Sequence, residues 1–146
     1  MTKLTFTQSV HSQVAMLVDG KPLEALDQFF ASDGVMYANG ERFAGSSAEA
    51  RRKQESYILA AKSIQGAIDD LVIMKEQEIC AFRNKTIFIT NDDVQHKIDG
   101  LCWQRWQNGK IIEEHYFDGE HMQSMISNGI LVKPDAIQPI ELSSNK

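Results

Sequence analysis

From residue 68 to residue 118 the chain is a succession of four strand-like runs separated by no more than three residues at a time, and no other feature restricts its fold as much. The runs are 68–75, 79–90, 94–107 and 109–118, punctuated by Glu76-Gln77, Asn91-Asp92-Asp93 and Asn108-Gly109. Asn108-Gly109 is the firmest of these turns, because both residues tolerate positive φ. Connections this short permit only antiparallel neighbours, so the expectation is a meander. At ~3.3 Å per residue, twelve residues extend about 40 Å, more than a flat sheet in a small domain can use. The sheet must therefore twist and curl, with helices covering its concave side. The expected class is α+β: a curled antiparallel sheet forming a cone, closed by N-terminal and central helices.

The first 66 residues supply those helices. Phe6, Val10, Val14, Leu17 and Val18 recur at helical spacing over 6–19, and Gly20 ends that segment. Pro22 suits the first turn of a second helix with Leu23, Leu26, Phe29 and Phe30 on its apolar side. Asp33-Gly34 reads as a turn into a short strand, 35–38, and Asn39-Gly40 as a hairpin leading to Glu41-Arg42-Phe43. Ser46 followed by Glu49 resembles a capping box for a helix running to about residue 62. One domain, 1–126, is expected, with 127–146 an irregular tail carrying Pro134 and Pro139. That tail would touch the sheet through Ile130, Leu131 and Val132.

Charge and cysteine usage narrow the function. Fifteen basic against 20 acidic residues give a formal charge of −5. The basic residues are scattered apart from Arg51-Arg52-Lys53, so nucleic acid is not the expected partner. No apolar run approaches the roughly 20 residues that span a bilayer, and the first residues lack the apolar core of a secretory signal. No membrane partner is therefore expected. Cys80 and Cys102 have no zinc or redox spacing, which fits a reduced, cytoplasmic protein. His115 and Asp118 fall on opposite strand faces and His121 follows a glycine, so no metal is expected. Trp103 and Trp106 also lie on opposite faces, one for the core and one for the outside of the sheet.

Alternation selects the candidate site. In the last run Ile112, Glu114, Tyr116 and Asp118 point one way, and Ile111, Glu113, His115 and Phe117 the other. Asp118 ends the run among aromatic and apolar neighbours, as an acid at a cavity mouth would. Glu114 shares its face but lies four residues back, about 13 Å along the strand, so the two form no dyad. Arg83 shares a face with Ala81, Lys85, Ile87 and Ile89, taken as the inward set. A contact between Arg83 and Asp118 would keep the carboxylate ionised. Tyr37 and Asn39 are candidates to hold a polar group or a water. His96, on the Val94, Ile98 and Cys102 face, is a candidate pocket acid or base.

The order helix, helix, strand, helix, four-strand meander resembles the nuclear transport factor 2-like superfamily, including its SnoaL-like members. Ala25-Leu26-Asp27-Gln28-Phe29-Phe30-Ala31 with Asp33-Gly34-Val35-Met36-Tyr37 resembles the family's helix-to-first-strand passage. Phe43-Ala44-Gly45-Ser46-Ser47-Ala48-Glu49 resembles its glycine entry to the long helix, and 108–118 its final hairpin and strand. The resemblance covers residues 6 to about 122 and implies a cystatin-like α+β cone that forms homodimers through its outer sheet face. Tyr37-Ala38-Asn39, Arg83-Asn84-Lys85 and Tyr116-Phe117-Asp118 are similar to site segments of limonene-epoxide-hydrolase-like members. Lys85 stands where those enzymes carry the aspartate that protonates the epoxide. The steroid-isomerase pattern is not followed, since 36–39 contain no carboxylate. SnoaL-like cyclases use an acid/base aspartate at a strand end, for which Asp118 is the counterpart.

The resulting expectation is a cone that binds a small, apolar or mixed-polarity molecule, with Tyr37, Asn39, His96, Glu114 and Tyr116 as ligand-binding residues. Catalysis, where present, would be cofactor-independent acid/base chemistry of cyclase, hydrolase or isomerase type. In it Asp118 moves a proton while Arg83 or Lys85 stabilises negative charge. The competing expectation is a non-catalytic interaction or dimerisation domain whose interior is filled by Met36, Met74, Ile87 and Ile98.

Overall fold

The meander forms with its strands β4 (Ile68–Met74), β5 (Ile79–Thr90), β6 (Gln95–Gln107) and β7 (Lys110–Asp118), as seen in a computed structural model describing residues 4–136. Ahead of them come α1 (Phe6–Val18), α2 (Pro22–Phe29), β1 (Phe30–Ala38), β2 (Glu41–Ala44), α3 (Ser47–Leu59) and β3 (Ala61–Gln65). After them come α4 (Gly119–Ser127) and a 3-10 turn, Pro134–Ala136. The sheet runs β2-β1-β7-β6-β5-β3, with β4 sharing the outer edge of β5. All neighbours are antiparallel except β1 and β7, which run parallel. The long β5–β6 pair curls, and the sheet with its helices is an unclosed α+β cone.

Local chemistry explains the helix starts. Thr5 and Gln8 exchange hydrogen bonds at the head of α1, a complete capping box. Pro22 occupies the first turn of α2. Ser46 caps α3 through the Glu49 N–H, but the Glu49 carboxylate accepts from Gly45 N–H, one residue before the cap. The end of α1 meets the β3–β4 turn backbone to backbone: a Cβ on Gly66 would lie 2.2 Å from the Leu17 carbonyl oxygen. Only glycine permits that approach.

Two apolar clusters lie on opposite sides of the sheet. Inside the cone, Val10, Leu26, Phe29, Met36, Phe82 and Ile111 surround Trp106, whose ring meets Phe6 and Phe29 at 5.9 and 5.7 Å. Outside, Ile79, Leu101, Trp103 and Phe117 are covered by Met122 and Ile130. Trp103 is fully buried there, and its Nε1–H donates to the Pro134 carbonyl at 2.9 Å.

Several expectations are corrected. Asp33-Gly34 is no turn; β1 starts at Phe30, and its pairing with β7 is interrupted between Phe30 and Val35. The central helix stops at Leu59, because residues 61–65 form β3 against β5. The stretch after Asp118 forms α4 and the 3-10 turn, and Ile130 within it is fully buried while Val132 is exposed. Residues 137–146, the remainder of the expected tail, lie outside the described residues, as do residues 1–3. Register between β6 and β7 shifts after Arg105, so Ile111 turns into the cone together with Glu114 and Tyr116. The inward face of β5 is the other one: Phe82, Asn84, Thr86 and Phe88 line the interior.

Candidate functional site

The helices leave an open cavity of about 550 Å³ in the cone. Its wall is mostly apolar, with Leu17, Leu26, Phe30, Met36, Phe82 and Ile111 toward the core and Tyr57, Ile64, Phe88 and Ile98 among the others. Glu114, opposite Met36 on β1 and Gln104 on β6, is the one carboxylate among the described lining residues.

Glu114 is built into a polar network. Gln104 Nε2–H donates to Glu114 Oε1 at 2.6 Å and to Gln13 Oε1 at 2.7 Å. Gln104 Oε1 accepts from Gln13 Nε2 at 3.0 Å, from Trp106 Nε1 at 3.1 Å and from the Cys80 thiol at 3.3 Å. A fully buried amide held by four residues is a rigid support. Burial pushes the Glu114 carboxyl above its ordinary value, and the Gln104 hydrogen bond offsets only part of that. Burial likewise raises the thiols of Cys80 and Cys102, leaving them unreactive.

The residues expected to form the site are not all brought together. Glu114, Tyr116 and His96 line the cavity. Tyr116 lies over Gly100, where any Cβ would strike its ring, and burial with nearby Asp118 pushes its phenol up to about 12. His96 is exposed toward the far end of the β5–β6 hairpin, stacked on Phe88 at 4.9 Å. Tyr37 borders the cavity, but its ring stacks on His115 at 4.5 Å, beside the outer cluster.

Asp118 and Asn39 are tied to each other rather than to the cavity. Asn39 Nδ2–H donates to Asp118 Oδ1 and Asn39 Oδ1 accepts from the Asp118 N–H, both at 2.9 Å. Asn39 sits in the left-handed region at φ 51°. The pair clamps the end of β7 to the β1–β2 turn. Arg83 and Lys85 stand on the outer face, correcting the inward placement expected of them: Arg83 binds Asp99 at 2.7 Å and Lys85 faces Asp69 at 3.7 Å. The contact between Arg83 and Asp118 does not form. The physical reason is that β5 mixes apolar and polar residues on both faces, so its alternation does not reveal which side is inward.

On the outer face His115 is fully buried between Tyr37 and Phe117, with Nε2 2.7 Å from Glu113 Oε2 and Nδ1 without a partner. Burial works against ionisation of Glu113, but hydrogen bonds with His115 and Arg105 prevail and hold its carboxyl below the ordinary value. Among the described residues no three His, Cys, Asp or Glu side chains are grouped to hold a metal. No described helix is long and apolar enough to cross a membrane.

The residues missed beforehand are Gln104 and Gln13. Their signal was present: Gln104 is a polar interruption of the face Cys102, Gln104, Trp106, and Gln13 interrupts the apolar stripe of α1.

By sequence, no family model and no curated protein matches this chain. Solved structures do match in fold. A provisionally named SnoaL-like polyketide cyclase from Mesorhizobium loti is 18% identical with a TM-score of 0.61, covering 79% of this chain and 100% of its own. AclR from Streptomyces galilaeus, provisionally named a hydroxylase, is 13% identical with a TM-score of 0.64, covering 85% and 95%. A cystatin-fold protein from Novosphingobium aromaticivorans is 9% identical with a TM-score of 0.63, covering 80% and 100%. The fold is that of the nuclear transport factor 2-like, SnoaL-like cone.

Proposed function

We propose that this nuclear transport factor 2-like cone is a receptacle for a small, mostly apolar molecule whose polar end rests against Glu114. The observation that carries the reading is an open cavity of about 550 Å³ with a single carboxylate among its described lining residues, itself held by a built network. That volume lies within the range of ligand sites. A dry void of this size, at ~24 cal/mol per Å³, would cost about 13 kcal/mol, comparable with the entire stability of a small domain. The space is therefore one that water or a ligand occupies. Its openness also counts against the interaction-domain alternative, which needs Met36, Met74, Ile87 and Ile98 to fill the interior; Met36 and Ile98 instead line the cavity, Met74 packs on the outer cluster and Ile87 is exposed.

Acid/base chemistry without a cofactor is the reaction type such a site supports. Glu114 exchanges a proton with the substrate while Gln104 holds its other oxygen. The proton-moving role first expected of Asp118 passes to Glu114, since Asp118 is engaged by Asn39. Native mass spectrometry of protein recovered from its host tests the reading: a bound small molecule, released on denaturation, is expected. A cone that arrives empty and takes up no apolar fluorophore sinks it.

A further inference from the structure

The deep end of the cavity is asymmetric in a way that names a ligand class. Gln104 Nε2–H occupies Glu114 Oε1, and no described residue hydrogen-bonds Glu114 Oε2. The groups packed around the carboxyl bring no positive charge. The adjoining strand β1 contributes Met36, α1 contributes the amide of Gln13, and α3 contributes Gln54, directed to Met36 Sδ at 3.6 Å. From β5 and β6 come the thiols of Cys80 and Cys102, and along β7 the phenol of Tyr116. The cavity's cationic candidates, His96 and Lys97, lie at the opposite end of β6, about 25 Å along the strand from Gln104.

We propose, on the receptacle reading above, that this end selects a neutral oxygen acceptor, for which Glu114 Oε2–H is the donor, over the carboxylate of the same skeleton, which would be buried there with no cation beside it. The acceptor is a ketone, aldehyde, ester or amide carbonyl. An anionic ligand end finds no cation to offset its desolvation and a second acid at hydrogen-bond range. A carbonyl finds a donor whose other oxygen is already fixed. Burial of the carboxyl favours that protonated form, and the Gln104 hydrogen bond offsets only part of the effect.

The test pairs two dyes on one skeleton: a neutral propionyl-dimethylaminonaphthalene, whose emission reports hydrogen bonding to its carbonyl, and the corresponding naphthoate. The wild-type protein is expected to bind the ketone at least tenfold more tightly. Its affinity for the ketone should fall as pH rises and Glu114 loses its proton. Glu114→Gln, which keeps an N–H donor, should abolish that pH dependence, and Glu114→Leu should weaken ketone binding about tenfold. Equal or tighter binding of the naphthoate, a flat wild-type pH profile, or equal losses in the two variants would overturn the proposal while leaving the receptacle intact. The wild-type profile decides even where a variant fails to fold. If neither dye enters the wild-type cone, the receptacle reading itself fails.

Discussion

At the scale of single residues, burial decides which acid matters. Glu114 and Asp118 share a strand and a face, yet only Glu114 lines the cavity with its carboxyl raised by burial. A carboxyl whose folded value is raised favours the folded state in its protonated form. That contribution is complete below the unfolded value, near 4.3 in model peptides, and is lost as pH rises through the raised folded value. Glu114→Gln cannot ionise, so its melting temperature should gain on the wild type as pH rises and match it in acid. Parallel pH profiles in thermal melts would contradict this. Asp118, by contrast, is held by Asn39 at the end of β7. Removing both hydrogen bonds by Asn39→Ala should cost about 1–3 kcal/mol in urea unfolding with ketone-dye affinity little changed. The carboxylates were visible in the sequence, but which of them lines the cavity was not, because alternation gives direction from the strand and not depth in the cone.

At the scale of elements, the strands that alternate or sit between strong turns were legible and the compensating irregularities were not. Asn108-Gly109 places β7, with both residues at positive φ, whereas the register shift after Arg105 leaves no trace in residue types. β3 was hidden because Ala61-Lys62-Ser63-Ile64-Gln65 has little apolar content and gains its place only from the edge of β5. α4 was hidden for a related reason: no side chain caps its N-terminus, and it forms because the outer face of β6 and β7 needs cover. The segment after it completes that cover through Ile130, which is fully buried in the outer cluster. Ile130→Ala should therefore cost about 2–5 kcal/mol by chemical denaturation. A cost under about 0.5 kcal/mol would show that the segment only rests on the sheet. The same cover removes Trp103 from any subunit interface, so pairing of two copies through the outer face would have to use the stretch around Arg83, Lys85 and Ile87.

At the scale of the molecule, the fold keeps two cores at once, and only one of them is full. The outer cluster is closed by α4 and the segment behind it, while the inner one surrounds Trp106 and then opens into the cavity. Of the helices beside that opening, α3 contributes little to the core: Ala50 is its one buried residue, and Tyr57 and Leu59 are each 69% exposed. A lining this apolar gains by exchanging water for hydrocarbon, at roughly 25 cal/mol per Å² of apolar surface removed. A ligand that binds only the folded chain raises its stability by mass action, by about 2.7 kcal/mol at a hundredfold excess over its dissociation constant. The ketone dye should therefore raise the melting temperature in proportion to the logarithm of its concentration. Thr86→Trp, set in the cavity wall, should blunt that rise by filling the space and leave the unliganded melting temperature close to the wild type. An undiminished ligand-dependent rise in Thr86→Trp would place the dye elsewhere and separate surface adsorption from entry into the cone.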